Sequence, residues 1–258
     1  MKVSIITVCF NSEATIRDTI ESVLAQKYSD IEYIIVDGKS TDKTMDIVRE
    51  YQGRIAKIIS EPDKGIYDAM NKGIEKATGD VIGILNSDDF YRTENSISEV
   101  VVEFQKSATT DMVLGGVDFV HEDELNHAVR YYKAIGFKPW KLRFGLMAPH
   151  PAAFIRREAY KKVGTYKLNY KISADFDFFV RALLVHELSF ITVDKVWVRM
   201  RVGGVSTSGL QSYKVSTQEM LRSFKENERY TNFLFLLLRL PLKSLQLIKR
   251  EKKREIFR

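Results

Sequence analysis

Four short apolar runs punctuate the first third of the chain and restrict its fold more than any other feature. They are "KVSIITV" (residues 2–8), "IEYIIVD" (31–37), "IAKIIS" (55–60) and "VIGIL" (81–85). Each is rich in Val and Ile and bounded by polar residues or Gly, the pattern of strands buried on both faces. Helix-period segments lie between them. Asn11 and Ser12 can cap a helix running to about residue 26, with Ile16, Ile20, Val23 and Leu24 on one face. "GKSTDKTMDIVREY" gives a Gly turn, cap-type residues and a second helix. "GIYDAMNKGIEKA" (65–77) spaces Ile66, Met70 and Ile74 by four and is stopped by Thr78-Gly79-Asp80. Strands alternating with helices imply an α/β fold, with a parallel sheet and right-handed crossovers.

Such a sheet takes ligands just beyond the carboxyl ends of its strands. The unusual polar residues gather there: Asn11 after the first strand, Asp37 closing the second, Glu61 and Asp63 after the third, Asp88 and Asp89 after the fourth. Turn residues without a function would scatter over both edges. Beyond residue 90 the pattern loosens. Strands are expected at 111–120, 127–133 and 190–202, a strand running into a helix at 152–164 closed by Gly164, and a helix at 174–187 with carboxylates in its first turn.

At 258 residues the chain suits one sizeable core. Its one cysteine, Cys9, rules out a disulfide framework and a Cys-based zinc site, and four scattered histidines argue against a His-rich one. Both facts suit a reducing cytosol. The opening apolar run is too short for a signal peptide. The net charge of +6 resides in residues 239–258, which carry eight Lys or Arg and two Glu, so residues 1–238 are neutral overall. The pI of 9.2 therefore describes a basic tail, which argues against nucleic acid as a partner.

Five blocks together carry a family resemblance: "SIITVCFNSEATI", "EYIIVDGKSTDKT", "EPDKGIYDAMNKGIEKATGDVIGILNSDD", "HPAAFIRREAYKKVG" and "ADFDFFVRAL". In this order they resemble the family 2 glycosyltransferases of the GT-A fold, a Rossmann-like, mostly parallel mixed sheet flanked by helices. The nearest resemblance is to the bacterial branch that builds O-antigen, capsule and colanic-acid-type polysaccharides. It implies an inverting, metal-dependent hexosyltransferase that moves a sugar from a nucleotide diphosphate sugar, a UDP-sugar in the first instance, to a hydroxyl of a lipid-linked glycan. It implies a catalytic domain over residues 1–209, a helical, amphipathic and basic extension over 210–258, and a place at the inner face of the cell membrane.

The family's Asp-x-Asp metal motif falls on Asn86-Ser87-Asp88, with Asn at its first position. The resemblance thus gives Mg²⁺ or Mn²⁺ to Asp88 and leaves Asn86 a donor hydroxyl contact. Asp89 is either a second metal residue or a turn residue. Asp37 matches the carboxylate that binds the base, though an Asp before Gly also caps helices. Thr7 and Asn11 match the first loop, and Ser40 and Asp42 the next. Lys64 offers a cation, and Asp68 and Asn71, three apart on a helix, can point together at the nucleotide. Met70 stands where the family often has Arg. The general base matches Asp175, the second position of a family Glu-Asp pair that here reads Ala174-Asp175. Asp177 is assigned to the acceptor side or to a structural tie, and His150 to the acceptor side or to the core. "RMRVGGVSTSG" (199–209) resembles a mobile loop; it lacks the His that many relatives carry, and Arg201, with Arg199, is the candidate for the diphosphate.

"FLFLLL" (233–238) is far too short to span a bilayer. With the basic run beyond it, "KREKKR", it reads either as an interfacial helix on anionic lipid or as a helix packed on the catalytic domain. Two other functions remain open. A sugar nucleotidyltransferase needs a Gly-rich phosphate loop after the first strand, and "TVCFNSEAT" has no Gly. A non-catalytic subunit of a membrane assembly need not keep the acidic residues that this chain has.

Overall fold

The computed structural model describes residues 1–203 and 209–239. The end of the expected mobile loop and the basic run "KREKKR" lie outside the described residues.

The four runs form β1 (Val3–Cys9), β2 (Ile31–Asp37), β3 (Lys57–Ser60) and β4 (Val81–Asn86), all parallel. Between them run α1 (Ile16–Leu24), α2 (Thr44–Glu50) and α3 (Ile66–Lys76). Then follow β5 (Asp89–Tyr91), α4 (Ser96–Gln105), β6 (Met112–His121), β7 (Glu124–Tyr132), β8 (Ala153–Arg156), α5 (Arg157–Val163), α6 (Ala174–Val180), β9 (Phe190–Arg201), α7 (Gly209–Glu226) and α8 (Phe233–Leu237). The strands lie side by side in the order β3-β2-β1-β4-β8-β6-β9-β5, with β7 added beside β6. β6 and β9 run with β1–β4, while β5, β7 and β8 run against them. The sheet is therefore mixed and mostly parallel, as expected, and its carboxyl edge holds the ends of β1–β4, β6 and β9.

Alternation along β1 divides the core. Val3 and Ile5 face α1 and α4 through Ile16, Ile20, Val100 and Phe104, together with Trp197 of β9. Ile6 and Val8 face α3 and the helices that follow, through Met70, Ile74, Phe176, Phe178, Met220, Phe224 and Leu236. Residues from α7 and α8 thus belong to the same core as β1. Gly115 makes room for Trp197: a Cβ there would stand 2.2 Å from the indole ring. Among the described residues no helix is long and apolar enough to cross a membrane.

Two elements differ from expectation. The helix expected over 174–187 is α-helical only to Val180 and continues as a π-helical turn, Arg181–Val185. Arg181 is buried there and drawn to the carbonyls of Val163 and Thr165, at 2.7 Å each. Residues 89–91, where no strand is expected from the sequence, pair with β9 as β5.

Glu32 ties the opposite edge of the sheet. It is 4% exposed and accepts from Ser4 Oγ at 2.6 Å, Thr78 N at 2.7 Å and Lys57 Nζ at 2.9 Å. Burial alone would raise its pKa, but these bonds outweigh burial and hold it well below the usual carboxylate range. A depressed carboxylate contributes stability that is present above its unfolded pKa and is lost as pH falls toward the folded value. Glu32→Ala strands the Ser4 and Thr78 donors and should cost about 1–3 kcal/mol. Urea unfolding at neutral pH measures this, and the difference from wild type should shrink on acidification.

Candidate active site

The loop after β4 is fixed from behind. Thr19 Oγ1 of α1 donates to the Ser87 carbonyl at 2.9 Å and to the Asp89 carbonyl at 2.7 Å. Arg201 donates to the Asp88 carbonyl at 2.7 Å, and Ser12 Oγ meets Ser87 Oγ at 2.8 Å. Three successive carbonyls are thus held by side chains distant in sequence. Among the described residues nothing hydrogen-bonds or ion-pairs with the Asp88 carboxylate, which is partly exposed.

Asp88 and Asp89 face different surroundings. Asp89 starts β5, is 1% exposed, and has one oxygen 3.5 Å from Asn86 Nδ2. Burial pushes its carboxyl well above the usual range; the Asp88 charge adds to this and Arg201 opposes it. Asp88 lies in the turn before β5 and is partly exposed while Asp89 is enclosed, so of the metal pair expected at 88–89 only Asp88 is open. Asn86 Oδ1 is buried without a hydrogen-bond partner. An unpaired buried acceptor is costly, and a ligand that donates to it or coordinates it removes that cost.

Arg201 is not open to a ligand. It is 7% exposed, pairs with Asp18 and with Glu122 at 3.1 Å, and lies over the Phe90 ring. Its place is behind the Asp88 loop, not in front of it. Arg199 is likewise engaged, by Asp118 at 3.3 Å and the Leu125 carbonyl at 3.0 Å.

The first three loops converge beside Asp88. Asp37 is fully buried and accepts from Ser40 Oγ at 2.5 Å, Ser60 Oγ at 2.6 Å and the Cys9 thiol at 3.8 Å. Cys9 is itself buried, and burial pushes its thiol far up. Asn11, at φ 49°, donates its N–H to Ser40 Oγ at 2.8 Å and accepts from Thr41 N at 2.9 Å. A Cβ on Gly38 would stand 2.5 Å from Asp63 Oδ2 and 3.3 Å from the Phe10 ring, so glycine lets these loops touch. Phe10, 61% exposed, is a flat apolar surface at this edge that the sequence reading passed over. Its signal was an aromatic residue directly after a buried strand.

Several other expected donor residues have partners within the fold. Thr7 sits inside β1, fully buried, and its hydroxyl accepts from Tyr33 at 3.1 Å. Asp68 and Asn71 do not act together. Asp68 accepts from Lys64 N at 3.0 Å and lies 3.7 Å from Lys72. Asn71 clamps Tyr166, donating to its carbonyl at 2.7 Å and accepting from its N–H at 2.9 Å. The Lys64 side chain is exposed.

Asp175 opens α6. Its Oδ1 accepts from Phe176 N at 2.8 Å and from Tyr67 Oη at 3.3 Å. Tyr67 also donates to the Ile172 carbonyl at 2.5 Å, so the start of α3, at the carboxyl edge of the sheet, holds the start of α6. No hydrogen bond among the described residues engages the other Asp175 oxygen. Burial pushes the Asp175 carboxyl up, with His150, the Phe176 N–H and Tyr67 opposing. His150 Nε2 lies 2.7 Å from Tyr166 Oη, and burial pushes this imidazole down, toward the neutral form.

Asp177 faces the other way. Residues two apart on a helix lie about 200° apart, so Asp177 turns toward α7 when Asp175 turns toward Tyr67. It is fully buried and binds Arg181 at 2.8 Å, Ser223 Oγ at 2.8 Å and Asn227 Nδ2 at 3.0 Å. Of the two roles open to it from the sequence, these partners are those of a structural tie. Glu219 of α7 completes the support, accepting from the N–H groups of Lys171, Ile172 and Ser173 at 2.6, 3.0 and 2.9 Å. Neither Tyr67 nor Glu219 was singled out in the sequence, because their partners lie far along the chain.

This architecture is the GT-A fold. Staphylococcus aureus TarS 1–349 matches it with a TM-score of 0.66 over 89% of this chain and 67% of that chain, at 19% identity. A Pyrobaculum calidifontis mannosyltransferase, solved with GDP-Man and Mn²⁺, matches with a TM-score of 0.62 over 90% and 65%, at 18% identity. Residues 4–164 match the family described as glycosyl transferase family 2. An uncharacterized glycosyltransferase of Mycobacterium tuberculosis is 32% identical over 218 residues, 82% of this chain and 78% of its own. A PGL/p-HBAD biosynthesis glycosyltransferase of Mycobacterium bovis is 30% identical over 181 residues, 69% of this chain and 68% of its own. The chain belongs to glycosyl transferase family 2 and is a glycosyltransferase.

Two substitutions separate support from chemistry. Glu219→Ala strands three N–H groups and should cost about 3 kcal/mol or more. Asp175→Asn removes a carboxyl that burial disfavours and should leave the urea midpoint unchanged or raised. An equal loss in both variants would make Asp175 a structural residue.

Proposed function

We propose that the chain transfers a sugar from a nucleotide diphosphate sugar to an acceptor hydroxyl with inversion, and that Asp175 is the general base. The observation that carries this reading is the Asp175 carboxyl: sheltered, held by one oxygen, with the other unengaged. Phe10, Asn11, Asp37, Ser40, Lys64, Asp68 and Asn86 line or support the donor edge. A UDP-sugar is the donor proposed first, since S. aureus TarS is solved with UDP-GlcNAc; the GDP-Man of the Pyrobaculum enzyme makes guanine donors the alternative to test.

Asp88 and Asn86 fit a divalent cation shared with the donor. Among the described residues no three His, Cys, Asp or Glu side chains make a metal site by themselves. Mg²⁺ and Mn²⁺ need only one or two carboxylates when phosphate oxygens and water complete the shell. Asp88 would hold the ion, with the unpaired Asn86 Oδ1 beside it. The bound ion would neutralise charge developing on the leaving diphosphate.

In the transfer step the acceptor oxygen forms a bond to the anomeric carbon. The bond from that carbon to the diphosphate breaks, and its electron pair leaves with the nucleotide diphosphate. The acceptor proton passes to the free oxygen of Asp175. Tyr67 and the Phe176 N–H fix the carboxylate orientation. The acceptor proposed is a lipid-linked glycan of cell-surface polysaccharide synthesis, with the enzyme at the inner face of the bacterial membrane. The basic C-terminal segment and the family resemblance support that placement.

Hydrolysis or transfer measured over a panel of UDP- and GDP-sugars tests the reading; no turnover of any donor would overturn it. Asp175→Asn should lower kcat by about 10²–10⁴-fold with donor affinity near normal, and full activity would remove Asp175 from the role of base. Asp88→Ala should abolish the Mn²⁺-dependent part of donor affinity, measured by calorimetry with and without Mn²⁺. The base works deprotonated, so kcat/KM should fall as pH drops through the raised Asp175 pKa, above the ~3.9 of a solvated Asp. Tyr67→Phe removes a bond that favours the charged carboxylate and should move that limb to higher pH.

A further inference from the structure

Several large apolar side chains are exposed on α8 and on the 3₁₀ stretch Pro139–Phe144. Trp140 packs edge-on to Phe144 at 5.8 Å, Phe144 stacks on Phe235 at 4.9 Å, and Phe235 meets Tyr230 at 6.1 Å. Thr231 Oγ1 donates to the Arg143 carbonyl at 2.6 Å, and Asn232 caps α8 by accepting from Phe235 N at 2.8 Å. These contacts join two segments into one strip. Outward from it stand Trp140, 55% exposed, Phe233, 54%, and Leu234, 71%, with Tyr230 and Leu238. Monomeric surfaces rarely leave so many large apolar groups together without a partner.

Charge identifies the partner. From Lys133 to Arg157, and from Arg229 to Arg250, the sequence contains no Asp or Glu. Lys138 and Arg143 are exposed beside Trp140, and the sequence after Arg239 carries seven further Lys or Arg against two Glu. A two-fold copy of this chain would set that positive excess against itself. An anionic bilayer surface accepts both parts: Trp, Tyr and Leu enter the headgroup boundary while Lys and Arg meet lipid phosphate. Arg239 takes no part in this. It is buried against α7, donating to Thr217 Oγ1 at 2.7 Å and lying over the Tyr213 ring. It ties the end of α8 to α7.

We infer that Trp140, Tyr230, Phe233, Leu234 and Leu238 form a rigid docking strip for an anionic membrane surface, flanked by Lys138 and Arg143. This deepens the reading above, in which the acceptor is lipid-linked. From Phe144 the chain runs directly to His150, so docking would set the acceptor side of the site toward the lipid.

The full-length protein is sedimented with vesicles of phosphatidylcholine alone and of phosphatidylcholine mixed with phosphatidylglycerol. Wild type should bind the mixed vesicles preferentially. The double variant Trp140→Ser, Leu234→Ser should bind them about tenfold more weakly or less. Trp140 and the fully buried Trp197 are the only tryptophans, so mixed vesicles should blue-shift the emission of wild type and not of Trp140→Phe. Vesicle binding by the double variant equal to wild type overturns the proposal. So does a wild-type dimer in lipid-free light scattering that the double variant converts to monomer, which would give the strip to a second copy. Donor hydrolysis in solution by the double variant should equal wild type. Absence of any donor turnover in both proteins would overturn the proposed transfer reaction while leaving the vesicle result standing.

Discussion

Backbone carbonyls that a loop cannot satisfy itself decide where its side chains go. The carbonyls of Ser87, Asp88 and Asp89 are taken by Thr19 and Arg201, one from α1 and one from β9. The loop cannot rotate without breaking these bonds, and so the Asp88 carboxylate stays open while Asp89 is folded into the sheet. Each bond contributes only about 1 kcal/mol net, but an unpaired buried carbonyl costs more than that. Arg201 is itself held by Asp18 and Glu122, so α1, β9 and the β6–β7 hairpin all bear on one loop.

The carboxyl proposed as the base depends on an equally remote device. The segment before α6 turns three N–H groups toward Glu219, and the inward side of α6 is tied through Asp177 to Ser223 and Asn227. Both sets of partners come from α7 and the residue that follows it. The helix after the sheet therefore sets the orientation of the helix that carries Asp175, and Phe224 and Met220 pack beneath the pair.

Much of the sheet was legible because buried parallel strands are continuous apolar runs with little ambiguity. β1 to β4, β6 and β9 fall where Val and Ile cluster. β5 was not legible: Asp89-Phe90-Tyr91 is three residues long, and only pairing with β9 makes it a strand. The helix from Ala174 reads as regular to residue 187, and the buried contacts of Arg181 with Val163 and Thr165 lie where it changes to a π turn. Site positions follow the same division. That polar residues collect at one edge was readable from strand ends alone. Which of them face solvent was not, since Thr7, Asn71 and Asp177 are each claimed by a partner on another element: Tyr33, Tyr166 and α7.

Cys9 offers a practical consequence. It is the only thiol in the chain, it is enclosed at the end of β1 against Asp37, and its pKa is pushed far above neutrality. Thiol reagents act on the thiolate, so at neutral pH the native protein should be nearly inert to maleimides and methanethiosulfonates. The natural sequence is then already a cysteine-silent background. A single cysteine introduced at an exposed position such as Val202 or Ile135 would carry a spin label or fluorophore without competition, and the movements of the loops around the donor edge could be followed without first altering the site.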